Sequence, residues 1–409
     1  MRALFNGGGW ELGEGEEEKI FSEGEQGRLH AEGPEQLPDV LASLDEVASS
    51  GDPHLLAAGF ISYEAGVWIE GSTALVRKHE FLPFAEFSIF DTSRSAATRR
   101  TPAAPQPSAS FTFEESACAH RVLSSDLAER SLSSDEWRRG VGTIRDGIAR
   151  GDVYQVNLSR RTRFAAHVEP FALARALYAN NPVPFAVTLA RDNWAVVSNS
   201  PELFLDVNLA ARRAVTRPIK GTIARGATEA DDAARRRELL ASAKDAAENV
   251  MIVDLLRNDL GKVAEPGRVE TTAMRILKPF RHLHHLESAV QARLRRGTGL
   301  ADVLRATLPG GSITGAPKRA ALRFIHDLES VPRGAYCGAA GFVRGDGRAV
   351  FNVAIRTAIL GRDTVDYHAG GGIVWDSQAE AEWGETEAKS LEFGAAMASL
   401  AAGEPTRER

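Results

Sequence analysis

The chain has 409 residues, 43% of them apolar and 25% charged, with a formal net charge of −6 at pH 7. These figures exclude a disordered or fibrous protein, and the acidic balance argues against a nucleic-acid partner although arginine (41) far outnumbers lysine (8). No apolar run approaches the ~18 residues that span a bilayer, no solenoid-type repeat recurs, and the opening MRALFNGGGWELGEGEEEK turns acidic where a signal peptide is apolar. The two cysteines, Cys118 and Cys337, form neither a metal-ligand pair nor a disulfide framework, so the expectation is a cytoplasmic protein without a membrane partner.

In chain order, LLAAGFISYEAGVWI (55–69) and FAEFSIFD (84–91) are rich in aromatic and β-branched residues between Gly and Pro, and read as strands. From Thr92 to Ser110, Pro, Ala, Ser and Thr replace core-forming residues. That linker closes an N-terminal segment, 1–110, that contributes strands, and leaves 111–400 as the main domain. Ser133 with Glu136 predicts a capping box, and Trp137, Val141, Ile144 and Ile148 recur at helical spacing until Gly151, a C′ glycine. A strand VYQVNLS (153–159) follows, Pro170 opens a short helix, FAVTLA and WAVVS (185–198) pair as strands, and 231–258 reads as one long helix. The tail predicts an antiparallel meander of YCGAAGFV, AVFNVAIRTAIL and TVDYHAG, turning at 345–347 and 361–363. In its middle strand Phe351, Val353, Ile355 and Ile359 share one face, and Arg356 points to the other. A last helix runs from Glu380 to Ala401, so the pattern is α+β rather than doubly wound.

Several motifs carry side chains suited to chemistry. In RPIKGTIARG (217–226), Lys220 is either a solvated turn lysine or an amine whose pKa apolar walls lower toward nucleophile or base. Glu202, in the SPE motif between strands, is either a loop carboxylate or a shielded acid with a raised pKa. Asp245 and Glu248 lie three apart on one helix face, and Glu382 with Glu385 repeats that spacing on the last helix, one turn before Lys389. Two such faces suit a hard cation such as Mg²⁺, and either pair alone suits plain solvent exposure. LPGGSITGAPK (308–318) lacks the Lys-Ser/Thr ending of a P-loop, yet a glycine-rich turn into a helix offers backbone N–H groups to an anion such as a carboxylate. AGGGIV (369–374) lets backbone approach a ligand, and HLHHLES (282–288) lacks zinc spacing.

Taken in order, YQVNLS, SPE, RPIKGT, AENVMIVDLLRNDLGKV, HHLES, LPGGSITGAPK, YCGAAG, NVAIRT and AGGGIVWDSQAEAEWGETEAK resemble the chorismate-utilising enzymes over residues 134–395. Within them the wording is nearest the aminodeoxychorismate synthase branch. Lys220 stands where anthranilate synthases carry alanine, and Gln155 stands where isochorismate and salicylate synthases carry a lysine base. The resemblance implies two large antiparallel sheets packed as a sandwich with helices outside. It further implies that Lys220 attacks C2 of chorismate while Glu202 protonates the departing C4 hydroxyl, after which ammonia attacks C4. It places Mg²⁺ on Glu248 and Glu385, with Asp245 and Glu382 nearby. Arg356, Tyr336, Lys389 and the Gly371 and Gly372 amides are expected to hold the substrate's carboxylates and enolpyruvyl group, while Thr222, His285 and Ser312 line the ring. Ammonia is expected from a separate glutaminase subunit, and the poorly matching N-terminus predicts no tryptophan site. The rival expectations are anthranilate synthase component I and a non-catalytic subunit that binds a glutaminase.

Overall fold

The computed structural model describes residues 1–12, 17–22, 24–100 and 128–401; Cys118 and the linker beyond Arg100 lie outside them. Two antiparallel ten-stranded sheets pack face to face. The first runs Gly315–Ala316, Gln155–Ala165, Thr364–Ile373, Thr357–Leu360, Ala195–Ser200, Phe185–Ala190, Arg2–Asn6, Glu17–Phe21, Ala96–Arg100, with Ala128–Arg130 also paired to Gln155–Ala165. The second runs Ile219–Ala224, Leu283–Leu294, Arg213–Arg217, Leu203–Asn208, Arg348–Val353, Ala339–Arg344, Leu55–Ile61, Ala85–Asp91, Glu25–Ala31, with Ala264–Pro279 also on Leu283–Leu294. The expected α+β sandwich is therefore present, and the N-terminal segment supplies strands to both sheets.

Strand periodicity builds the layers. Ala3 and Phe5 enter the space between the sheets while Leu4 faces outward, and Val196 and Val197 divide in the same way. The shared interior is aromatic: Trp10 meets Phe5 at 5.1 Å and Phe185 at 5.6 Å edge-on, and Phe5 meets Phe342 at 5.9 Å. Helices Pro170–Asn180 and Ala379–Ala401 cover the first sheet through Leu173, Leu177, Phe393 and Met397. Helices Leu37–Ser49, Ala243–Gly261 and Leu300–Thr307 cover the second through Leu41, Leu44, Ile252, Leu256 and Leu304. Phe342→Ala empties the centre of the inter-sheet layer, and we expect it to cost about 3–5 kcal/mol, read as a lower denaturant midpoint. No helix among the described residues is long and apolar enough to cross a membrane.

The local signals hold where neighbouring residues decide the outcome. Ser133 and Glu136 form the reciprocal capping box, Gly151 ends that helix at φ 81°, and Phe185–Ala190 pairs with Ala195–Ser200. Four expectations are corrected. Residues 55–69 are a strand only to Ile61; Ser62 Oγ then accepts from the Ala65 N–H at 3.1 Å and caps helix Tyr63–Ile69. The expected linker begins instead with a helical turn, Thr92–Ser95, and strand Ala96–Arg100 paired with Glu17–Phe21. The long helix is two, Glu229–Ala241 and Ala243–Gly261, broken at Ser242 (ψ 113°), whose hydroxyl accepts from the Asp245 N–H.

The fourth correction shapes the site. The presumed middle strand of the tail divides, Arg348–Val353 going to the second sheet and Thr357–Leu360 to the first. Arg356 lies in the crossover at φ 49°, so alternation does not set its direction. A second crossover, in the opposite sense, takes the chain from Ser200 in the first sheet to Leu203 in the second, with Glu202 between them. The two are bonded side by side: Ser200 Oγ donates to the Val353 carbonyl (2.6 Å), the Val353 N–H to the Glu202 carbonyl (3.0 Å), and the Asn199 N–H to the Arg356 carbonyl (3.1 Å).

Candidate active site

Lys220 projects from strand Ile219–Ala224, whose pairing with Leu283–Leu294 shifts register between Ile219 and Thr222. Gly221 makes that irregularity possible at φ 88°, a conformation that favours glycine, and a Cβ there would lie tightly, 3.2 Å, from the Asp245 carboxyl carbon. The Lys220 ammonium donates to Glu248 Oε1 at 2.9 Å and to the Ser312 carbonyl at 3.3 Å. Burial disfavours the charge on Lys220, but Glu248 and then Glu202 outweigh it, so its pKa is raised rather than lowered.

Glu202 is 4% exposed and accepts a 2.9 Å hydrogen bond from Ser312 Oγ. Desolvation pushes its pKa up to about 7, against the opposing pull of the Lys220 charge, the Ser312 hydroxyl and the Ile219 N–H. Of the two readings of the motif, the burial of Glu202 favours the shielded carboxyl with a raised pKa. Ser312, in the short helical turn Gly311–Ile313, serves both groups at once, with its hydroxyl on Glu202 and its carbonyl on Lys220.

Opposite lies the glycine strand. A Cβ on Gly372 would fall 2.1 Å from Gln155 Nε2 and 3.0 Å from Glu248 Oε1, and one on Gly371 would fall 3.3 Å from Glu382 Oε2. The two helices therefore aim carboxylates at bare backbone. Each of three carboxylates already holds an ammonium: Glu248 with Lys220 (2.9 Å), Glu382 with Lys244 (3.4 Å) and Glu385 with Lys389 (2.7 Å). Glu248 also accepts from Gln155 Nε2 at 3.0 Å. Burial raises its pKa, but the Lys220 charge and hydrogen bond more than offset this, leaving it below the usual value. Among the described residues no three His, Cys, Asp or Glu side chains are gathered as a metal cluster. The hard oxygen donors of two helices around the glycine cradle still match the chemistry of Mg²⁺.

The remaining expected residues divide. Thr222 Oγ1 lies 2.7 Å from His285 Nδ1; burial, then the charges of Arg356 and Lys389, hold that imidazole well below its usual pKa, hence neutral. Lys389 donates to the Gly370 carbonyl at 2.7 Å beside the cradle. Arg356 faces Glu392 at 3.6 Å on the last helix. Tyr336, 4% exposed, is stacked on His368 of the glycine strand with ring centroids 5.0 Å apart. Sequence reasoning passed over Lys244 and Ser377, which hold Glu382 at 3.4 and 2.7 Å. Lys244 directly precedes Asp245, so the rarity of lysine was the available signal; Ser377 had none.

A buried acid beside a lysine, with carboxylates facing bare glycine backbone, is thus assembled on an antiparallel sandwich. The sequence pattern of the family described as chorismate binding enzyme matches residues 8–393. The chain is 40% identical over 261 residues to anthranilate synthase component 1 of Saccharolobus solfataricus, covering 64% of this chain and 62% of that protein. It is 42% identical over 256 residues to aminodeoxychorismate synthase component 1 of Klebsiella aerogenes, covering 63% and 56%. The match thus spans less than two thirds of these curated relatives. The crystal structure of anthranilate synthase component I from Streptococcus pneumoniae superposes with a TM-score of 0.70 at 28% identity, covering 87% of this chain and 85% of that one. The chain belongs to the chorismate-binding enzyme family.

Proposed function

We propose that the protein is an aminodeoxychorismate synthase component I, converting chorismate and ammonia to 4-amino-4-deoxychorismate. The observation that carries this reading is Lys220 set against Glu202 through the two ends of Ser312. Lys220 Nζ, after losing a proton to solvent, forms a bond to C2 of chorismate, and the two conjugated ring double bonds each shift one place as the C4–O bond breaks. Glu202 gives that oxygen its proton, so it leaves as water. Ammonia then forms the C4–N bond and loses a proton to solvent, the two double bonds shift back, and the Lys220 amine is expelled.

Mg²⁺ would be held by Glu248 and Glu385, with Asp245 and Glu382 beside them, and would supply charge neutralisation to the substrate's ring carboxylate. Arg356, Lys389 and the Gly371 and Gly372 amides would hold the anionic groups, while Thr222, neutral His285 and Ser312 line the ring. In this reading ammonia is delivered by a glutaminase subunit in the cytoplasm, and the product feeds para-aminobenzoate and folate synthesis.

The comparable identity to an anthranilate synthase supports a second reading, amination at C2 with loss of pyruvate. Incubating the chain with chorismate, Mg²⁺ and an ammonium salt separates the two. A product of aminodeoxychorismate mass that becomes para-aminobenzoate when a lyase is added supports the first; fluorescent anthranilate supports the second and overturns the first.

A further inference from the structure

Behind the active site, Glu329 and Arg333 form a buried ion pair, 5% and 1% exposed. The guanidinium reaches both carboxylate oxygens, Nη2 to Oε1 at 2.6 Å and Nε to Oε2 at 2.9 Å. Burying such a pair is costly, and well-packed apolar residues would serve stability as well, so its retention calls for a geometric reason. That reason lies in the remaining donors. Nη1 donates to the Ile313 carbonyl at 3.0 Å, and Nη2 donates to the Asn157 carbonyl at 2.7 Å. Asn157 Nδ2 donates to the same Ile313 carbonyl at 3.0 Å, and the Asn157 N–H donates to the Thr314 carbonyl at 2.8 Å. Glu329 is fixed in turn by the Ser159 N–H and hydroxyl at 2.8 and 3.0 Å. The Ile313–Thr314 peptide, one residue beyond Ser312, is therefore gripped by two side chains, in a loop that Gly310 and Gly311 would otherwise leave pliant.

We propose that Arg333, oriented by Glu329, and Asn157 are positioning residues for proton donation: by fixing the Ile313 carbonyl they hold Ser312 with its hydroxyl on Glu202 and its carbonyl on Lys220. Neither touches the reacting atoms. The inference rests on the reading of Glu202 as the general acid. The charged groups acting on Glu202 are Lys220 from the adjoining strand and Glu287 from the strand beside it, and the substitutions below touch neither.

The test measures kcat, KM and the pH profile of chorismate turnover, at saturating ammonia, for Ser312→Ala, Asn157→Ala, Arg333→Lys and the two doubles with Ser312→Ala. Loss of the Ser312 hydrogen bond destabilises the Glu202 carboxylate. With the donor also less well placed, all three singles are expected to lower kcat about tenfold, with KM little changed, and to move the break in the pH profile that marks Glu202 to higher pH. The doubles are expected to be no worse than Ser312→Ala alone. Asn157→Ala removes one amide and keeps the ion pair, so it carries the test even where Arg333→Lys melts early. A merely structural role would lower the melting temperature, leave that break in place and multiply with Ser312→Ala; that result overturns the proposal. Full activity in Glu202→Gln overturns the acid assignment itself, whereas an inactive Glu202→Gln with unaltered Asn157→Ala and Arg333→Lys overturns the positioning role alone.

Discussion

Replacing Lys220 with alanine is expected to lower kcat/KM for chorismate by on the order of 10³-fold or more, because it removes the nucleophile. The fold should survive, since the lysine stem is partly exposed and Glu248 keeps its hydrogen bond from Gln155. A melting temperature close to that of the parent would show that chemistry, not structure, was lost. Lys220→Arg sharpens the result. Arginine keeps a positive charge beside Glu248, which is what an electrostatic role requires, but its guanidinium holds its proton far more tightly than an amine and supplies no amine nucleophile. Both variants should be dead if the covalent step is real. Activity in the arginine variant would make Lys220 a counter-ion, and an alanine variant yielding anthranilate would move the protein to the neighbouring reaction.

Glu202→Gln is expected to lower kcat by roughly 10²- to 10⁴-fold, the range for losing a positioned proton donor. The parent supplies a second signature. With the carboxyl pKa at about 7, the proton-donating form is present below neutrality and is lost as pH rises. At saturating ammonia, turnover should rise with pH to about 7 and level off above it, because the gain in neutral Lys220, whose pKa is raised, is cancelled by the loss of the Glu202 proton; the glutamine variant should lack that break. In that variant stability is expected to move in the opposite sense to activity. A folded-state pKa raised from 4.5 to about 7 gives a contribution that is full below about pH 4.5 and is lost as pH rises through 7. The loss is on the order of 3 kcal/mol at alkaline pH. Glutamine carries no such charge, so the variant should melt higher than the parent at pH 8. A melt that is lower or unchanged would mean that water or a partner solvates the carboxylate.

How far the sequence could be read depends on the range of the forces at each position. The Ser133–Glu136 box and Gly151 are settled within a few residues, and they were legible. The break at Ser242 was not, because alanine-rich sequence on either side favours continuing the helix, while the chain must bend to bring Glu248 to Lys220. The division of 349–360 was equally hidden. Its alternation continues through Arg356, and only the presence of two sheets requires the chain to leave one for the other. Of the site, the residue types were evident and their pairings were not. Nothing in the spacing sets Ser312 between Glu202 and Lys220, and the acidic surroundings that raise the lysine pKa come from a helix and a crossover distant in sequence.

The paired crossovers at 200–203 and 353–357 make catalysis a late event in the life of the chain. Lys220 belongs to one sheet, Gln155 and Gly372 belong to the other, and Glu202 lies on the seam between them. A partly assembled molecule with the first sheet formed alone would bring Gln155 to Gly372 but leave Lys220 apart from them. During refolding, turnover should therefore return only with the final docking of the sheets, after far-ultraviolet signals of strand formation have recovered. Enzymatic activity thus doubles as a clock for the last step of assembly.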